Sequence, residues 1–198
     1  MNRRLASVCV QCGSNPGASP AFAVAARELG RVLAGGGVRV IHGGLRTGLM
    51  GAVADAALAA GGWVGGVAPR FLVDQGIGHE RLTELRVVDS MQERKSLMLE
   101  LSEAAIMLPG GVGTQDEFWE TLAGAQLGLH AKPCGILNVD GYYDWLFTFM
   151  DRALAEGFLS ASDRRNVLVN SNVEQLVTDL SERVFEDSEA AVAVQKGD

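Results

Sequence analysis

Short apolar runs alternate with longer helical patterns from one end of the chain to the other, and nothing else in the sequence restricts the fold so tightly. The runs are Ala6–Val10, Val38–His42, Trp63–Val67, Thr83–Val88, Ala104–Leu108, Cys134–Asn138 and Val167–Val169. Most are apolar without a break, as strands are when both faces of a parallel sheet are covered. Helical patterns fill the gaps at Pro20–Ala34, Thr47–Ala60, Met91–Leu101, Thr114–Gly128, Tyr142–Glu156 and Val173–Val184. Pro20 after Ser19 suits a helix start, and Gly35-Gly36-Gly37 and Gly61-Gly62 suit helix ends. The alternation predicts a Rossmann-like, doubly wound, mainly parallel sheet with helices on both faces. No repeat or Pro/Ser linker divides the chain, so residues 1–185 read as a single α/β domain and 186–198 as a flexible C-terminal tail.

In such a fold ligands sit at the carboxyl ends of the strands, where helix starts offer N–H groups to anions. Composition limits which ligands to consider. A formal net charge of −7 argues against nucleic acid, which needs a basic face. No apolar run reaches the length of a membrane span, and Leu5 to Val10 is too short for a signal-peptide core. Cys9-x-x-Cys12 ends a strand with no second ligand pair, so no metal or redox site is expected; reduced thiols in a cytoplasmic protein fit better.

Three strand-to-helix loops remain: Gln11–Gly17, His42–Gly51 and Pro109–Glu117. None carries the dinucleotide fingerprint, and none is a P-loop, because no Gly-Lys-Ser/Thr occurs. In the third, Gly110, Gly111 and Gly113 permit a positive φ and close backbone approach, so that successive N–H groups, with that of Val112 between them, can form an anion nest. Thr114 is expected to open the following helix and add the positive end of its dipole. A nucleotide phosphate is the expected anion.

Glu117 supports two readings. Thr114-x-x-Glu117 is a capping box, a pattern repeated at Ser90-x-x-Glu93 and Ser171-x-x-Glu174. The alternative is a carboxylate facing a ligand at the mouth of the loop. Arg94 and Lys95 fall near a helix N-terminus, where the dipole disfavours cations. Arg94 also shares a helical face with Met91 and Met98, which is costly unless an anion meets it. His42 ends an apolar strand and reads as structural or site-adjacent; His79 and His130 read as loop residues without a role.

With these residues in place, the sequence resembles the LONELY GUY (LOG) family, the cytokinin riboside 5′-monophosphate phosphoribohydrolases. Pro-Gly-Gly-x-Gly-Thr-x-x-Glu (109–117) matches its signature. Cys-Gly-Ser (12–14), Gly-Leu-Met-Gly (48–51), Glu-Arg-Lys (93–95), Gln-Leu-Gly-Leu-His (126–130) and Leu-Asn-Val-Asp-Gly-Tyr-Tyr (137–143) accompany it. The resemblance spans residues 6 to 183 and implies hydrolysis of the N-glycosidic bond of a nucleoside 5′-monophosphate, releasing free base and ribose 5-phosphate. It further implies Arg94 and Glu117 as the catalytic pair. Lys95, Gly110, Gly111, Val112, Gly113 and Thr114 are then nucleotide contacts, with Ser14, Gly44 and Met91 beside them. A homodimer with no metal or organic cofactor is implied as well. An older label for the family is lysine decarboxylase, which needs a lysine to anchor pyridoxal phosphate. Lys95, Lys132 and Lys196 are the three lysines here, and none is well placed for it.

The chain departs from the family pattern at a few positions. Gln75 and Gly76 stand where an Arg-Glu pair is usual, Gln92 where a His follows Met91, and Leu45 where a third Gly is usual. Gly124 stands in place of a Trp and is expected to open space beside the base pocket. A cytokinin nucleotide is the default substrate, with AMP or another modified nucleotide as the alternative. A non-catalytic nucleotide-binding protein is the rival from another class.

Overall fold

The computed structural model describes the backbone of residues 5–195 and the side chains of residues 5–186. In chain order the elements are β1 (Ser7–Gln11), α1 (Pro20–Gly35), β2 (Arg39–His42), α2 (Gly48–Ala59), β3 (Val64–Pro69), α3 (Arg70–Asp74), β4 (Glu84–Val88) and α4 (Met91–Glu100). Then come β5 (Ala104–Met107), α5 (Val112–Gln126), β6 (Cys134–Leu137), α6 (Asp144–Ala155), α7 (Ala161–Arg165), β7 (Val167–Asn170) and α8 (Val173–Gln195). The strands form one sheet in the order β4-β3-β2-β1-β5-β6-β7, parallel throughout. This is the doubly wound, Rossmann-like α/β architecture.

The unbroken apolar runs have the expected cause: β1, β3, β5 and β6 are buried along their whole length. Alternate residues feed two cores. Val8, Val10, Val40 and Ile106 pack toward α1, α2 and α8, while Cys9, Ile41, Ala105 and Met107 pack toward Met98, Phe118 and Met150. The sheet order reverses between β1 and β5, so the loops leaving these strands diverge to opposite faces and leave a crevice between them.

Element bounds differ from the sequence expectation in particular places. The five-residue helices α3 and α7 are too short to show a helical period and are absent from the sequence reading. Tyr142 and Tyr143 lie before α6, in a tight corner that follows β6. The last helix begins at Val173, with the Asn172 side chain accepting from the N–H of Gln175 at 2.9 Å, so the helix starts on Asn172 instead of Ser171. It runs to Gln195, where a flexible tail is expected from Glu186; the Ala-rich segment 190–193 is a good helix former.

Candidate active site

At the β1/β5 switch point lies a cleft of about 900 Å³. Its walls are the loops after β1 (Cys12–Ala18) and β5 (Pro109–Thr114), with Leu45, Leu72, Ile77, Met91, Arg94, Glu117 and Tyr142. Ser14, Met91, Arg94, Gly110, Gly111, Val112, Gly113, Thr114 and Glu117 thus meet in one place. Gly44 and Lys95 are not on its wall.

The Gly-rich loop is tied to β1 by the Gly13 N–H, which donates to the Pro109 carbonyl at 3.0 Å. A side chain at Gly110 would overlap Thr114, its Cβ falling 2.1 Å from Thr114 Oγ1, so the tight turn depends on glycine here. Helix α5 starts at Val112 with Gly111 as N-cap, earlier than Thr114, because that buried threonine packs beneath Gly110 inside the first turn. No side chain caps this helix, so the Val112, Gly113 and Thr114 N–H groups remain available to an anion.

The expected capping box is also absent at Glu117. Its Oε1 accepts from Arg94 Nη1 at 2.9 Å, with both side chains nearly buried. A buried carboxylate left in a cap would strand the Arg94 charge, so the ion pair takes precedence. At Ser90, by contrast, the cap forms: Ser90 Oγ accepts from the Glu93 N–H at 3.1 Å, and Glu93 accepts from the Asp89 N–H at 3.0 Å. Arg94 is further fixed by donating from Nε to the Val67 carbonyl at 3.2 Å. The guanidinium fits only because residue 43 has no side chain, since a Cβ there would lie 1.5 Å from Arg94 Nη2. The family resemblance marks Gly44, whose φ of 74° favours glycine for its own backbone. Gly43, which carries no local signal, is the one that shapes the site.

Burial raises the Glu117 carboxyl above the ordinary glutamate value, Arg94 pulls it back down, and Asp116 pushes it up again. The result is a desolvated carboxylate, hydrogen-bonded to Arg94 through one oxygen, at the floor of the cleft.

Lys95 turns away from this floor. Its Nζ donates to Asp116 at 2.9 Å and pairs with Glu120 at 2.5 Å. Burial works against the charge on Lys95, yet these two acids hold its pKa above the usual lysine range. Lys95 lines a second cavity of about 380 Å³, and so does Gly124. This second cavity shares Glu117 with the main cleft. A Cβ at Gly124 would meet His130 Nε2 at 2.8 Å, so the imidazole fills that room.

His42 is buried with neither ring nitrogen bonded, and burial, His79 and Arg94 lower its pKa to about 3, leaving it neutral beside the guanidinium. His79, expected in an open loop, is buried and pairs with Asp55 at 3.2 Å. Cys9, Cys12 and Cys134 are free and buried. Among the described residues, no group of three or more His, Cys, Asp and Glu is arranged to hold a metal ion. No helix among them is long and apolar enough to cross a membrane.

Residues 50–180 match the family described as "Possible lysine decarboxylase". The description suits the site poorly: Lys95 is occupied as above, Lys132 is bonded to the Leu99 carbonyl outside the cleft, and Lys196 lies outside the described residues. A rice protein named probable cytokinin riboside 5′-monophosphate phosphoribohydrolase LOGL9 is 46% identical over 181 residues, covering 91% of this chain and 80% of its own length. The cytokinin riboside 5′-monophosphate phosphoribohydrolase of Rhodococcoides fascians is 46% identical over 169 residues, 85% of either chain. A solved structure of the molybdenum cofactor carrier protein from Chlamydomonas reinhardtii has the same fold, with a TM-score of 0.68 over 92% of this chain and 99% of that one; at 21% identity it speaks to fold alone. A Gly-rich helix start facing a buried Arg–Glu pair, in a chain this similar to those enzymes, belongs to the LOG family of cytokinin riboside 5′-monophosphate phosphoribohydrolases.

Proposed function

We propose that the protein hydrolyses the N-glycosidic bond of a purine nucleoside 5′-monophosphate, with a cytokinin-type nucleotide as its substrate. The observation that carries this is the Arg94–Glu117 pair, sited within one helical turn of the unpaired N–H groups of α5. The phosphate lies on the N–H groups of residues 111–114 and the ribose reaches Glu117. Breaking the C1′–N bond sends its electron pair to the base and leaves positive charge shared by C1′ and the ring oxygen. Glu117 stabilises that charge and takes a proton from water as the water oxygen bonds to C1′. The base takes up a proton from solvent, and ribose 5-phosphate remains. Arg94 keeps the carboxylate ionised and oriented; a guanidinium is a poor proton donor. Leu45, Leu72, Ile77 and Met91 give the cleft an apolar stretch of wall suited to an isoprenoid substituent on the base. Gln75 and Gly76, between Leu72 and Ile77 in sequence, are exposed and uncharged.

The test is to incubate the protein with AMP, isopentenyladenosine monophosphate, GMP and CMP and to assay free base by chromatography. Base is expected from the isopentenyl nucleotide first. Binding without release of base from any of them leaves a nucleotide-binding protein instead of an enzyme.

Glu117 works as its carboxylate, so activity should be lost as pH falls through its raised pKa. The acid limb of kcat/KM is expected above 4.5, the ordinary glutamate value. A limb at or below that value would remove Glu117 from the role of base.

We further propose a homodimer in the cytoplasm. Trp145 and Phe149 are 61% and 56% exposed and share a shallow aromatic hollow with Trp119, which packs edge-on against Phe149. Three unbridged buried thiols suit a reducing compartment. Sedimentation should give a dimer for the native protein and a monomer for Trp145→Asp/Phe149→Asp. An unchanged dimer in that variant would move the interface elsewhere.

A further inference from the structure

Resting on the reading of the Gly-rich loop as a phosphate site, we infer that Tyr142 is a positioning residue for it, acting through a single peptide plane. Three successive carbonyls at the end of β5 are held by hydrogen bonds. Tyr143 OH donates to Leu108 O at 2.9 Å, Gly13 N–H to Pro109 O at 3.0 Å, and Tyr142 OH to Gly110 O at 2.9 Å. In a trans peptide the carbonyl and the following N–H point in opposite directions. Fixing the Gly110 carbonyl toward Tyr142 therefore fixes the Gly111 N–H the other way, and the hydrogen bond polarises that N–H. A flip of the same plane would put a carbonyl oxygen where the anion is to lie. Glycine on both sides of this plane leaves little local resistance to a flip, so an external restraint is needed.

The restraint is rigid. Tyr142 stands edge-on to Phe22 with ring centroids 5.4 Å apart and to Tyr143 at 4.8 Å. Tyr143 is fully buried, and its own N–H donates to Asn138 Oδ1 at 2.9 Å. Asp140 adopts a left-handed φ of 51° in the same corner, and Asn138 Nδ2 donates to Asp144 at 2.7 Å. The corner between β6 and α6 is thus a bracket whose two tyrosines grip the carbonyl side of the phosphate loop and leave its N–H side open.

The test is the variant Tyr142→Phe, which keeps the ring and removes the hydroxyl. Its affinity for ribose 5-phosphate and for AMP should fall about 5- to 10-fold, the range for one hydrogen bond, while adenosine, lacking phosphate, binds as before. The amide resonance of Gly111 should shift in the free protein. Phe22→Leu, which loosens the Tyr142 ring and keeps the hydroxyl, should lower the ratio of AMP to adenosine affinity less than Tyr142→Phe does; an equal or larger drop would place the effect in the ring packing and overturn the role of the hydroxyl. Native affinity for the phosphate ligands in Tyr142→Phe, or an equal loss for adenosine, overturns the proposal. Because the readout is binding, a protein that holds ribose 5-phosphate but hydrolyses no nucleotide would overturn the proposed function and leave this inference standing.

Discussion

Glu117→Gln is expected to lower turnover of nucleoside 5′-monophosphates by at least about 100-fold, the low end for a general acid–base residue. The amide still accepts from Arg94, so the side chain stays in place and the nucleotide still binds. What is lost is the charge facing the oxocarbenium and the site that takes the proton from water. Turnover of the native and variant proteins at saturating substrate, with Kd from titration, checks this directly. Native turnover in the variant would return Glu117 to a structural role beside Arg94.

Gly43→Ala should approach that effect without removing any reacting group. Gly43 has no left-handed φ, so alanine adds a methyl group and no backbone strain. That methyl falls 1.5 Å from Arg94 Nη2 and 2.6 Å from Cζ. The end of an exposed arginine would swing aside at little cost. Arg94 is 5% exposed and bonded to both Val67 and Glu117, so moving it breaks a buried pair. Losing one partner of such a pair costs about 3–5 kcal/mol. Urea denaturation at neutral pH should show a loss of that size, and turnover should fall well over about 10-fold as the carboxylate loses its orientation. The stability deficit has a defined pH dependence. Without Arg94 the folded pKa of Glu117 rises further above its unfolded value, so the penalty is full above that raised pKa. It shrinks as pH falls through it and the buried carboxyl becomes neutral. A variant with native stability and turnover would show that Arg94 has room the structure does not give it.

The sheet and most of its helices were legible because a parallel strand covered on both faces must be apolar along its length, as Ala104–Leu108 is. The Gly-rich loop was legible as a strand-to-helix turn, although none of Gly110, Gly111 and Gly113 takes the left-handed φ expected of them and only Gly110 is sterically required. Arg94 stood out as a cation on the face of Met91 and Met98. Other features depend on contacts between distant residues and leave no local trace. Gly43 matters only because Arg94 approaches it from another helix. Lys95 follows Arg94 in sequence, yet one helical step turns it to Asp116 and Glu120. The capping box at Thr114 and Glu117 was a false local signal, overridden by a buried charge 23 positions away. The hydroxyls of Tyr142 and Tyr143 gave no sign of reaching back to β5.

The apolar wall of the cleft has a consequence for engineering. Leu45, Leu72, Ile77 and Met91 come from three separate stretches of chain, and none of them makes a hydrogen bond to Arg94 or Glu117. If this wall meets the base as proposed, Leu45, Leu72 and Ile77 carry that contact on stretches of chain that hold neither Arg94 nor Glu117, while Met91 lies one turn before Arg94 on α4. A library varied at Leu45, Leu72 and Ile77 should redirect the enzyme among bases while its handling of the ribose phosphate stays as it is.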